Sequence, residues 1–201
     1  MPSLRAALIW TALAALILVP LAFAATSPLL QWRQPIYIAS GIAGIVGLAL
    51  LLLQPLLAAG LLPGVSVLHG RRIHRVTGIL LVLAVVLHVA GLWITSPPDV
   101  IDALMFRSPT PFSAYGVVAM WAVFASALLA ILRRRMRPRL WRLGHGTLAG
   151  LIVVGTILHA LLIDGTMETV SKTILCAAIA LATLKVLSTL KISPRSTHLR
   201  R

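Results

Sequence analysis

Residues 71–88 read RRIHRVTGILLVLAVVLH, and residues 142–159 read RLGHGTLAGLIVVGTILH. Each is an apolar run entered through arginine, with two histidines fourteen positions apart: His74 and His88 in the first, His145 and His159 in the second. On an α-helix, fourteen steps of about 100° return to within roughly 40° of the start, so the two histidines of each run share a face. The same steps rise about 21 Å, against a bilayer hydrocarbon core of about 30 Å. Each run therefore carries one histidine in each half of a membrane.

Composition requires that membrane. The 201 residues are 59% hydrophobic and 11% charged, and the mean hydropathy is +1.00, outside the range of soluble domains. Only helices and closed barrels satisfy their backbone in lipid, and continuous apolar runs select helices over the short alternating strands of a barrel. The expected fold is an all-α integral membrane protein, a six-transmembrane-helix bundle. Eighteen Lys/Arg against four Asp/Glu give a net charge of +14. In a soluble protein this would suggest nucleic acid. Here the positive residues sit in short segments between apolar runs, which the positive-inside rule explains without a nucleic-acid partner. Cys176, the only cysteine, lies in an apolar run and supports neither an internal disulfide nor a metal cluster.

Taken in order, the first expected span covers about residues 6–25. Ala22-Phe23-Ala24 also resembles a signal-peptidase site, but the run is long enough to span and is read as a retained helix. The second covers about 36–59, where Gly41, Gly44 and Gly47 form a small-residue stripe that favours close helix packing over chemistry. Gln54-Pro55 kinks or ends it, and 61–72 is a loop. The third covers 73–94 and ends at Trp93, an interfacial aromatic. Within the proline-marked loop 95–112, Asp99, Ile101, Leu104, Met105 and Phe106 suggest a short amphipathic helix at the surface. The fourth covers 114–132, the fifth 143–163 and the sixth 170–190, with a tight connection at 164–169 and a basic tail at 191–201. The whole is expected to form a single membrane domain. The arginine run from Arg133 to Arg139 is first a determinant of topology, with docking of an acidic partner or anionic lipid secondary.

Charge sets the orientation. Arg71 and Arg72, the six arginines between spans four and five, and Lys191, Arg195, Arg200 and Arg201 mark cytoplasmic segments. Asp99, Asp102, Asp164 and Glu168 all fall on the opposite side. Both termini are then cytoplasmic, and spans three and five run parallel. Parallelism sets His74 level with His145 and His88 level with His159. That arrangement suits two bis-histidine haems, each iron taking one neutral imidazole from each helix. Gly78, Leu81 and Val85 on one helix, and Leu148, Ala149, Ile152 and Thr156 on the other, offer the small or apolar face a flat porphyrin needs. Arg71, Arg72, Arg75 and Arg142 are candidate contacts for the inner haem's propionates, with Arg107 a weaker candidate outside. One membrane histidine is most simply an interhelical hydrogen-bonding residue. Four at matched spacing on two parallel helices point to function. His69, placed in a loop, and His198, in the tail, are expected to be solvated bystanders.

These residues resemble the ferric reductase-like transmembrane domain of ferric-chelate reductases, NADPH oxidases and the haem-binding membrane subunit of the periplasmic methionine sulfoxide reductase system. The resemblance rests on the two histidine pairs and on Gly70-Arg71-Arg72-Ile73-His74-Arg75, and extends over about residues 36–190. It implies six helices and two haem b groups ligated from the third and fifth. Ferric reductases and NADPH oxidases also carry a flavin and nicotinamide domain after the last helix. This chain has no Gly-rich dinucleotide fingerprint and ends about eleven residues beyond Leu190. The expectation is an electron-transfer subunit without its own flavin/NAD(P)H domain and with no catalytic acid or base. It would lie in a bacterial inner membrane and pass electrons from a cytoplasmic flavin reductase or quinol to an unidentified extracytoplasmic acceptor, docked near Trp93 and the outer loops. The sulfoxide reductase subunit is the alternative within the family, although His74 points to the two-haem ferric reductase type. A proton or metal-ion transporter using the same histidines, and an assembly or anchoring subunit, are the rivals from other classes.

Overall fold

A computed structural model describes residues 3–191; the tail residues Arg195, His198, Arg200 and Arg201 lie outside the described residues. The fold is all-helical: α1 (Leu4–Ala25), α2 (Pro35–Ala58), α3 (Val67–Thr95), the short α4 (Pro97–Leu104), α5 (Pro111–Ile131), α6 (Pro138–Leu162) and α7 (Thr169–Lys191), with 3-10 turns at Pro28–Leu30 and Leu132–Arg135. All but α4 are long and apolar enough to cross a membrane, which implies a lipid bilayer and a multi-pass protein.

Local chemistry explains where the helices start. Proline stands first in α2, α4, α5 and α6, where its fixed φ suits a helix and its missing N–H costs nothing. Ser66 caps α3 by accepting from the His69 N–H at 3.3 Å. That cap starts α3 six residues before the expected position, so 67–72 is helical rather than loop. His69 is therefore not a loop residue: it lies in the first turn of α3, its Nδ1 3.1 Å from the Ser66 hydroxyl. Likewise α6 begins at Pro138, placing Arg139 and Arg142 within the helix. Pro55 does not end α2, which continues to Ala58. The expected surface helix is α4, with Met105 its C-cap and Phe106 beyond it at a left-handed φ of 56°.

The bundle is built from two helix pairs, α2 against α3 and α5 against α6, with α7 packed on α1, α2 and α6. Leu175, Cys176 and Ile179 of α7 lie at the centre of the core with Leu48, Leu51 and Leu52 of α2 and Ile152 and Val153 of α6. Large apolar side chains such as Ile79, Leu83 and Leu184 remain exposed, as a lipid-facing surface requires. The Trp10 indole donates to the Pro63 carbonyl at 3.3 Å and ties α1 to the loop between α2 and α3.

Candidate functional site

The four histidines come together two by two. The ring centres of His74 and His145 are 6.3 Å apart and their planes meet at 78°; for His88 and His159 the values are 6.4 Å and 79°. Each pair takes one residue from α3 and one from α6, the N-terminal histidines facing each other and the C-terminal ones likewise. The two helices therefore run parallel. They are not closely packed on each other, so imidazoles rather than backbone span the gap.

Each ring is held from behind by its own partner helix. His88 Nδ1 lies 2.8 Å from the Ser40 carbonyl of α2, and His74 Nδ1 3.2 Å from the Gln54 carbonyl. On the other side, His159 Nδ1 lies 2.9 Å from the Phe112 carbonyl of α5, and His145 Nδ1 3.1 Å from the Ser126 hydroxyl. A carbonyl can only accept, so at three of the four rings Nδ1 carries the proton. The neutral ring's lone pair is then on Nε2. A metal-ligating histidine commonly shows this arrangement, with one nitrogen donating to an oxygen that fixes the tautomer and the plane. Gln54 is itself steadied by its side-chain amide, which donates to Thr77 at 2.9 Å.

Two glycines make room for the His88–His159 pair. A Cβ on Gly44 would stand 2.9 Å from His88 Nδ1, and one on Gly116 would stand 2.5 Å from His159 Nδ1. Each glycine is four residues after the carbonyl that its histidine uses, Ser40 and Phe112. A side chain there would stand between ring and carbonyl. The stripe Gly41-Gly44-Gly47 is thus not only a packing surface; at Gly44 it admits an imidazole. Gly116 lies in a similar run of small residues, with Ser113 and Ala119 three positions to either side, but it is the only glycine of α5.

The His74–His145 pair has a further support, which the sequence alone does not reveal. Trp141 stacks on His145 with centres 5.2 Å apart and planes within 11°, and the Arg133 guanidinium sits 4.6 Å from the centre of the Trp141 ring. The expected propionate contacts, Arg71, Arg72, Arg75 and Arg142, are exposed near the same end of α3 and α6.

The donor set suits an iron porphyrin. Two imidazoles bound to one metal, with bonds of about 2.0 Å and about 1.1 Å from each nitrogen to its ring centre, would have ring centres about 6.2 Å apart. Among the described residues, no three His, Cys, Asp or Glu side chains gather as a bare metal ion would require. A porphyrin brings four nitrogens and needs only two ligands from the protein.

Comparison with known proteins agrees in kind. A family model described as ferric reductase like transmembrane component matches residues 43–156, more than half of the chain. The match runs from α2 into α6 and includes His74, His88 and His145. No curated protein and no solved structure matches. Domains of this family generally bind haem, which suggests a role in transmembrane electron transfer. The chain belongs to the ferric reductase like transmembrane component family.

Proposed function

We propose that the chain is a transmembrane dihaem b-type cytochrome working as a single membrane domain. His74 and His145 would hold the inner haem, and His88 and His159 the outer one. The observation that carries this is the spacing of both imidazole pairs, 6.3 and 6.4 Å, with Nδ1 engaged behind each ring. Bound haem supplies one-electron exchange between ferric and ferrous iron. The protein's own residues do the rest. Ser40, Gln54 and Phe112 hold the Nδ1 protons, so Nε2 stays free to ligate. Leu81, Val85 and Ile152, all at least partly buried, keep water out of the space between the two levels. Arg71, Arg72, Arg75 and Arg142 would pair with inner carboxylates.

Both termini are assigned to the cytoplasm and the histidine levels to the two leaflets of a bacterial inner membrane. The donor would be a separate cytoplasmic flavin reductase or quinol, and the acceptor would lie outside. A role as the haem-binding subunit of a methionine sulfoxide reductase system differs in the acceptor, and His74, which completes the inner pair, favours the two-haem ferric reductase type over it. Transport of protons or metal ions fits less well. Three Nδ1 protons are committed to backbone carbonyls, and no third ligand joins either pair among the described residues.

The test is a reduced-minus-oxidised spectrum with haem stoichiometry on purified protein. Two haems per chain are expected, falling to about one in His88→Ala or His159→Ala. A colourless preparation from haem-replete cells would overturn the proposal.

A further inference from the structure

The outer site has a neighbour that the ligand geometry does not use. Lys172 of α7 is 5% exposed, the one charged side chain buried among the described residues. Its Nζ donates to the Ile163 carbonyl at 2.7 Å. Ile163 is the C-cap of α6 and stands one turn beyond His159. Lys172 therefore grips, from a different helix, the end of the helix that carries the outer ligand.

A buried ammonium is costly unless something recovers the lost hydration. No carboxylate is within ion-pair distance of Lys172 among the described residues. Glu168, one turn earlier, has its two oxygens on the N–H groups of Val170 and Ser171, at 2.7 and 2.6 Å. Asp164 is exposed. Capping the carbonyl end of a helix accounts for one of the three ammonium protons. The negative end of the α6 dipole and the nearby Glu168 carboxylate offset part of its positive charge.

The inner end differs. Its arginines, including Arg71, Arg72, Arg75, Arg133 and Arg142, are exposed, where water and salt screen them. A cation in low dielectric acts over a longer range and more strongly. Charge for charge, a buried cation would therefore weigh more on an electron added nearby than an exposed one, although Arg133 is close enough to act on His145.

Building on the two-haem reading, we propose that Lys172 is the positioning and potential-setting residue of the outer site. It fixes the α6 turn behind His159, and its buried positive charge favours the reduced state there, so that transfer from the inner to the outer level runs downhill.

The test is an optical redox titration of the purified protein beside Lys172→Gln, which keeps a donor and loses the charge, and Lys172→Arg, which keeps the charge. His88→Ala, retaining only the inner haem, assigns the two components. In Lys172→Gln the outer midpoint should fall while the inner one stays, and in Lys172→Arg both should stay. An unmoved outer midpoint in Lys172→Gln, or an equal shift of both, overturns the proposal. The unaltered protein gives a second readout in case Lys172→Gln does not hold its haem. The outer component should be the higher of the two, and the reverse order overturns the proposal. Two haems with unmoved midpoints would count against Lys172 alone; a protein without two haems would remove the underlying reading as well.

Discussion

At His145 the partner behind the ring is a hydroxyl, whereas the other three histidines have carbonyls. A serine hydroxyl donates or accepts, so it specifies the tautomer less strictly. Trp141 supplies what the hydrogen bond does not, a flat surface that fixes the ring plane. Ser126→Ala should weaken haem binding at the inner level by about 10- to 100-fold, as loss of an outer partner of a metal ligand commonly does, and leave the outer level intact. Haem titration of the variant checks this. Trp141→Ala should free the imidazole to rotate, while Trp141→Phe keeps the stack. The near-perpendicular ring planes predict a strongly anisotropic low-spin ferric signal at both levels by electron paramagnetic resonance. In Trp141→Ala the inner signal alone should move, and in Trp141→Phe neither.

At the scale of elements the site is made twice. The α2–α3 pair supplies Ser40, Gly44, Gln54, His74 and His88; the α5–α6 pair supplies Phe112, Gly116, Ser126, His145 and His159. Within each pair the two acceptors are as far apart in sequence as the two histidines, so acceptor and ring keep level at both depths. The histidine spacing was legible in the sequence because a side chain must be a particular type to ligate. The acceptors were not, because a backbone carbonyl leaves no mark on residue identity. Gly44→Ala and Gly116→Ala should each push the ring off its carbonyl and lower haem content from two towards one, by loss of the outer haem. Gly41→Ala, with nothing within 4 Å of the new methyl, should keep both haems and gain about 1 kcal/mol in helix propensity. Equal haem content in all three variants would remove the glycines from the site. At the start of α7, the Ser171 and Val170 N–H groups hold the Glu168 carboxyl below the usual carboxylate range. Its folded pKa lies below its unfolded one, so the stability it adds is present above the unfolded value and is lost as pH falls through the folded value. Glu168→Gln should therefore melt earlier than the unaltered protein at neutral pH, with the difference closing in acid.

Across the whole molecule, one end of the bundle collects the positive charge. Arg71, Arg72 and Arg75 begin α3, and Arg133 to Arg142 join α5 to α6 beside His145. Trp10 brings the start of α1, with Arg5, to the same end through Pro63. The six helices could be read from apolar runs because lipid imposes length and composition on every span. Their starts at Val67 and Pro138 could not, because arginine-rich turns outside the lipid remain helical once a serine cap or a leading proline nucleates them. The side on which the basic end lies decides which histidine pair faces which compartment, and the native cysteine leaves that question open to labelling. Cys176 is 2% exposed in the core and should stay silent to a membrane-impermeant maleimide. Asp164→Cys, next to the C-cap of α6, should label in intact cells. Arg135→Cys, in the basic turn after α5, should label only after the membrane is opened. The positive-inside rule fixes this sign, since moving guanidinium groups outward through the bilayer is the step it penalises. Labelling of Arg135→Cys in intact cells would invert the molecule, making His74 and His145 the exit level and leaving Lys172 beside the entry level, where a buried cation would hold electrons back from leaving.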